Sequence, residues 1–412
     1  MKSLEEKQVQ TEKLMNKKKT FFCPLPWAHL TMQPNGDLHS CCNALSFRPV
    51  GSTKTGSFKS NFLNPAMDSL RLKFVEGIIP SQCRECVQAE NNGGISLRQT
   101  SLARFPKINK SSIPEIRFLS LKFDNICNYS CRICGPEFST SWFSDSKKLN
   151  PMINLKKVEA IGFEEIDNLF NQINFKNIEV IYFAGGEPFL SPKFVYFLEK
   201  LIITNNIHIT LNINTNFSIT GQSQVKMLDR LKQFYMVNLN LSLDGEGERG
   251  DYMRHGQCWK SIENNIEFVK KTYPQLNLGV YITVSIFNIY KLDSFLKYLI
   301  DCAYLDLNLL KLNILVNPRM YSIEILPKIF KLKVLGKLKL LKKYLYMHRE
   351  HVRFMGLIKQ VTDLERSLSG PGDKQLLQKF LKENKRLDEI RNERFSDIFR
   401  EEYQLLKEYD LC

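Results

Sequence analysis

Between residues 115 and 320 six short apolar runs recur, separated by helix-like stretches, and each is closed by its own polar or glycine-bearing tail. The runs are 119–123, 178–184, 209–214, 237–243, 278–285 and 309–316. Behind the first come Cys127, Cys131 and Cys134, and behind the second Gly185-Gly186-Glu187-Pro188. Thr215-Asn216, Asp244-Gly245, Ser285 and Asn317-Pro318 close the other four. Apolar runs of this length bounded by turn formers read as strands. Strands alternating with helices give a parallel sheet or a (β/α) barrel, so the expected fold is α/β with a partial, TIM-like (β/α)6 barrel. In such barrels chemistry gathers at the carboxyl ends of the strands, which is where every one of these signatures falls.

The first tail spaces its thiols as C-x3-C-x2-C. Three cysteinates from one loop can hold three corners of a four-iron cluster, since cysteinate is the usual cluster ligand. The fourth iron is then left open, the property that separates catalytic metal sites from closed structural ones. A zinc loop is the alternative on spacing alone. One strand later, Gly185 and Gly186 allow close backbone approach to a ligand. Their carbonyls and the Glu187 carboxylate can accept hydrogen bonds from an ammonium group. A plain turn with Pro188 opening a helix is the bland alternative.

Upstream, residues 20–110 are poor in helical periodicity and rich in thiols and turn formers. Strand-like residues 30–33 and 38–41 flank Pro34-Asn35-Gly36-Asp37, a hairpin signal. Cys23, Gly36 and Cys41 stand at C-x12-G-x4-C spacing, and Cys83-Arg84-Glu85-Cys86 follows. Four thiols brought together leave no open corner, so a second [4Fe–4S] cluster or a four-cysteine zinc is expected, on Cys23, Cys41, Cys83 and Cys86. Cys42 is a rival to Cys41. His29 and His39 are lesser candidates, since a strand histidine is more often packed than ligating.

The C-x3-C-x2-C loop with Gly-Gly-Glu-Pro one strand on resembles the radical S-adenosylmethionine (SAM) enzymes. The N-terminal cysteine pattern is similar to the twitch or SPASM auxiliary-cluster modules of that family, though these usually follow the core. The resemblance implies a [4Fe–4S] cluster on Cys127, Cys131 and Cys134 that binds SAM and cleaves it to a 5′-deoxyadenosyl radical. It places Gly185, Gly186, Glu187 and Pro188 at the SAM amine and Ile133 beside the adenine. Ser242, within Ser-x-Asp-Gly, and Arg254 are placed at the ribose or carboxylate. Arg254 could act as a guanidinium fork, with a structural salt bridge as the alternative. Asp244 is the candidate for a catalytic polar contact, with capping of the next helix as its alternative. Thr215, Asn216 and Ser285 are weaker candidates.

The expected domains are a polar lead-in at 1–19, the twitch-like module at 20–110, the radical SAM core at 111–327 and a helical region at 328–412. Eight of eleven cysteines fall between Cys23 and Cys134, which favours metal over disulfides in a reducing, cytoplasmic setting. Cys258, Cys302 and Cys412 read as free thiols. No apolar run approaches a membrane span. The formal charge of +15 would suit nucleic acid, but its lysines cluster toward the chain ends without interleaved aromatics. Basic helices beyond residue 328 read first as padding for the open side of the barrel, then as a docking site for an acidic leader peptide or nucleic acid. The resemblance points to a peptide or protein substrate, with a small molecule or sugar second, and to a low-potential donor such as flavodoxin or ferredoxin. A cysteine-metal protein that binds nucleic acid without turnover is the alternative of another class.

Overall fold

The computed structural model describes residues 21–91, 95–155, 158, 160–219, 221–302, 305–348 and 354–409. The lead-in at 1–19 and Cys412 lie outside them. The chain divides into two compact units, Met1–Phe123 with Ala160–Tyr182, and Asp124–Glu159 with Phe183–Cys412.

In the first unit the hairpin forms as expected. β1 (His29–Met32) runs antiparallel to β2 (Asp37–His39), with Thr31 opposite His39. Gly36 takes φ +87° at the turn, a left-handed conformation that L side chains rarely adopt, and Asn35 Oδ1 accepts the Asp37 N–H at 3.1 Å. A two-residue β3 (Gly51–Ser52), which the sequence did not suggest, extends the hairpin beside β2. On its other side β1 pairs in parallel with β4 (Phe118–Leu121), the first of the six expected strands. All four β1 residues are buried, as a strand with a neighbour on both sides and cover on both faces requires. The order in this unit is β3-β2-β1-β4-β5, with β5 at Val180–Phe183.

The second unit holds β6 (Thr210–Thr215), β7 (Met236–Ser242), β8 (Asn277–Val284) and β9 (Lys311–Ile314), parallel and adjacent in sequence order. Helices Pro192–Ile203, Gln222–Leu231, Trp259–Thr272 and Leu292–Asp301 alternate with the strands. All six expected strands therefore exist, and the fold is α/β. The sheet has two unlike faces. Leu211, Ile213, Leu239, Leu241, Leu278 and Ile282 are fully buried on one. The other carries asparagines that donate to one another across strands: Asn238 donates to Asn212 at 2.9 Å, Asn240 to Asn214 at 3.1 Å and Asn277 to Asn238 at 3.0 Å, while Asn240 Oδ1 is left buried without a partner. Each pairing counts, since a buried polar group without a partner costs roughly 1–3 kcal/mol.

Beyond residue 328 the chain is helical, at Lys328–Met347, Met355–Ser367 and Lys374–Arg391. The expected break at 369–373 is there, and Asp373 caps the last of these helices by accepting the Leu376 N–H at 3.0 Å. Among the described residues no helix is long and apolar enough to cross a membrane.

Candidate active site

The loop after β4 leaves the first unit at Phe123, so Cys127, Cys131 and Cys134 all lie in the second unit, with every residue expected to serve them. Burial pushes the Cys131 thiol up to about 11 and the Cys134 thiol up to about 12, and raises Cys127 as well. Each of Cys131 and Cys134 also feels the charge of Cys127, so the three sulfurs share one neighbourhood, and the Arg254 guanidinium favours the thiolate of all three. Among the described residues no three or more His, Cys, Asp or Glu side chains close on a single metal ion.

Two glycines hold the loop. Gly186, at φ +23°, lies so close to it that a Cβ would stand 2.2 Å from Ile126 O. The next residue, Glu187, donates its N–H to that same carbonyl at 2.6 Å. Gly256, at φ +100°, leaves only 3.0 Å between a would-be Cβ and Asn128 O. The close approach expected of Gly186 toward a ligand is thus, first of all, an approach to the cysteine loop.

Glu187 is fully buried, and burial raises its carboxyl pKa against three hydrogen bonds that lower it. Oε1 accepts from Phe189 N at 3.1 Å and Thr215 Oγ1 at 2.8 Å, and Oε2 accepts from Asn216 N at 2.6 Å. Pro188 opens a 3-10 turn, Pro188–Leu190, that Glu187 caps, so the turn alternative is realised as well. A carboxylate has about four acceptor positions, which leaves one for an ammonium group. Asn216, one of the weaker candidates, joins the site directly: its Nδ2 donates to Asn128 Oδ1 at 2.8 Å and approaches Cys127 Sγ at 3.9 Å. Ser285 does not, being held in a turn where its N–H donates to Asn288 Oδ1 at 2.8 Å.

Asp244 does not cap a helix. Its Oδ2 accepts from Arg254 Nη1 at 2.8 Å and its Oδ1 from Thr283 N at 2.8 Å. Arg254 is therefore in a buried salt bridge, but one that uses part of the fork. Arg254 Nε is buried without a hydrogen-bond partner. A buried orphan donor beside thiols, with Ser242 at the end of β7 and Ile133 half-buried in the cysteine loop, fits a SAM carboxylate and cluster at this position.

Sequence reasoning missed Arg132, the residue between Cys131 and Ile133. It is 0% exposed and bonds to Asn384, Asp388 and Glu393, more than 250 residues away. No local signal announces a partner at that separation.

The N-terminal thiols all lie in the first unit and influence one another electrostatically. Burial is the largest influence on each, and beyond it Cys41 feels Cys42, Cys23 and Cys83, while Cys23 feels Cys83 and Cys86. Arg98 favours the thiolates of Cys23, Cys83 and Cys86. Cys42 instead feels Lys122, Cys86 and Glu85. Neither histidine is placed to ligate. His29 is spent on Ser40 O at 3.0 Å and Ser120 Oγ at 2.9 Å, and burial drives its pKa down to about 4. His39 is buried too, and burial lowers its pKa.

Residues 121–298 match the model of the Radical SAM superfamily. The chain carries a radical SAM domain over that span. It is similar to 7-carboxy-7-deazaguanine synthase of Methanocaldococcus jannaschii, 23% identical over 41% of this chain and 63% of the relative. It is also similar to the putative peptide biosynthesis protein YydG of Bacillus subtilis, 25% identical over 40% of this chain and 46% of the relative. The chain thus spans less than two thirds of the length of these curated relatives. Among solved structures, anSMEcpe with bound AdoMet aligns over 56% of this chain and 60% of its own, at 20% identity and a TM-score of 0.39.

Proposed function

We propose that this protein is a radical SAM enzyme that acts on a peptide or protein, with a [4Fe–4S] cluster on Cys127, Cys131 and Cys134. One observation carries the reading. Three half-buried thiols of one loop feel the charge of Arg254, whose Nε has no partner, and Glu187, tied to the same loop through its N–H, keeps one acceptor position free. When bound, the cluster and SAM supply the 5′-deoxyadenosyl radical that abstracts hydrogen from substrate. The chain's own residues orient. Arg254 would receive the SAM carboxylate with its unpartnered Nε while Asp244 holds Nη1, and Glu187 would take the amine with the Gly185 and Gly186 carbonyls. Ser242 would serve the ribose and Ile133 the adenine, and Pro188 opens the turn that Glu187 caps. Asp244, positioned by Thr283 N, acts through Arg254.

Cys23, Cys41, Cys83 and Cys86 hold a second, closed site, a [4Fe–4S] cluster or zinc, with Arg98 offsetting the thiolate charge. A low-potential flavodoxin or ferredoxin supplies electrons. The similarity to YydG supports a peptide substrate, and the similarity to the deazaguanine synthase supports a small molecule as second reading. The superfamily match over 121–298 favours an enzyme over a nucleic-acid binder without turnover.

The test is anaerobic reconstitution with iron and sulfide, an iron count, then reductant and SAM with assay of 5′-deoxyadenosine. SAM cleavage is expected, with about eight irons per chain if the second site holds a cluster and about four if it holds zinc. A chain that never binds iron refutes the reading.

A further inference from the structure

The C-terminal helix Lys374–Arg391 and the residues just after it place a charged network against the cysteine loop. Asn384, Asp388 and Arg391 follow at helical spacing on one face, and Glu393 lies just past the left-handed Asn392 that ends the helix. Arg132 enters this face. Its Nη1 donates to Asn384 Oδ1 at 2.8 Å, and its Nη2 donates to Asp388 Oδ1 and Glu393 Oε2, both at 2.5 Å. The guanidinium carbon lies 3.5 Å from the Tyr252 ring centroid, and Tyr252 Oη donates to Asp388 at 2.8 Å.

Arg391 makes the second hold. Its Nη2 donates to Ser130 O at 2.7 Å and to Asp145 Oδ2 at 2.8 Å, and it lies over Trp142, whose Nε1 donates to Cys131 O at 2.9 Å. Ser130 N and Arg132 N are tied to His255 O and Met253 O at 2.9 and 2.8 Å. His255 in turn meets Glu393 at 2.7 Å. The backbone around Cys131 is therefore pinned by Arg391, by Trp142 on which Arg391 lies, and by residues 253–255, which Glu393 meets through His255.

Apolar side chains would anchor a helix more cheaply, because buried ion pairs repay their desolvation poorly. Two cations beside the central cysteine ask for a role in charge as well as in grip. Arg391 contributes its charge at Cys131 and keeps Nη1 buried without a partner, so its hydrogen bonds alone do not account for it.

Resting on the cluster assignment above, we propose that Arg132 and Arg391, held by Asn384, Asp388 and Glu393, are positioning residues that fix Cys131 and set the field in which its cluster is reduced. A positive charge beside the cluster eases electron entry. Arg391→Gln therefore lowers the midpoint potential, and Asp388→Asn raises it by leaving Arg132 with Glu393 as its one remaining carboxylate partner.

The experiment is an EPR-monitored redox titration of the SAM-responsive cluster in reconstituted full chain, together with kcat and KM for 5′-deoxyadenosine release from SAM. Arg391→Gln is expected to keep its iron, shift the potential downward and lose about tenfold or more in kcat with little change in KM. Arg391→Lys is expected to restore the potential. Should Arg391→Gln or Asp388→Asn fail to fold, Glu393→Gln, at the partly exposed edge of the network, carries the same upward expectation as Asp388→Asn. Bound iron with an unmoved potential in these variants overturns the proposal and leaves the cluster assignment standing. An unmutated chain that never binds iron overturns both.

Discussion

Gly186→Ala tests whether the Gly-Gly-Glu-Pro turn holds the cysteine loop by direct contact. The added Cβ would stand 2.2 Å from Ile126 O, 2.8 Å from Ile126 N and 2.9 Å from Asn125 C, all backbone atoms. No side chain can swing away, so the Ile126 carbonyl must retreat by about 1.2 Å to reach an ordinary contact. That movement breaks the 2.6 Å hydrogen bond from Glu187 N. Overpacking costs about 1–3 kcal/mol and alanine at a positive φ about 1–3 kcal/mol, so a loss near 2–6 kcal/mol is expected. The matched control is Gly336→Ala. A Cβ there meets nothing within 4 Å, and the site is the interior of the helix Lys328–Met347. Removing a helical glycine should stabilise by about 0.5–1 kcal/mol. Urea unfolding of both variants gives the two energies, and iron content after reconstitution reports the loop. Gly186→Ala that loses less than about 1 kcal/mol and binds full iron would refute the close-packing argument.

Three further outcomes follow from the site. Cys131→Ala should abolish 5′-deoxyadenosine formation and lower iron by about four per chain, while the N-terminal site stays loaded. Cys41→Ala should lose the N-terminal metal whereas Cys42→Ala should not, because Cys41 faces Cys23 and Cys83; iron or zinc analysis of the two variants decides it. The buried His29 is held near pKa 4 against an ordinary 6.5. Its folded value is depressed, so the stability tied to the neutral ring is complete above pH about 6.5, drains as pH falls toward 4 and amounts to ~3 kcal/mol at most. His29→Asn should flatten the pH dependence of unfolding across that window, as denaturant midpoints at pH 4.5 and 7 (about two and a half units apart) would report.

Local patterns carried much of this protein. Six apolar runs gave six strands, and Asn35-Gly36 gave the hairpin turn at its place, because strand, turn and cap preferences act over a few residues. Thiol spacing placed Cys127, Cys131 and Cys134 in one loop and Cys83 and Cys86 on one short helical stretch for the same reason, since those spacings are local. Roles were harder to read than places. Asp244 could cap a helix or bond a ligand, and the structure gave it to Arg254, a choice made by which strand end the arginine meets. His29 offered a ligand's chemistry, yet both ring nitrogens were taken by Ser40 and Ser120, partners supplied by neighbouring strands.

Legible in the residues alone were the α/β order of elements, the hairpin turn and the glycine turn one strand after the cysteine loop. Only the tertiary structure decided that β1 pairs with β4, that Glu187 is bound by Thr215 and Asn216, and that Arg132 is enclosed by Asn384, Asp388 and Glu393. The physical reason is distance along the chain. A hydrogen bond between residues 132 and 388 leaves no periodicity or motif in either segment, and its partners are chosen only when packing brings both surfaces out of water together.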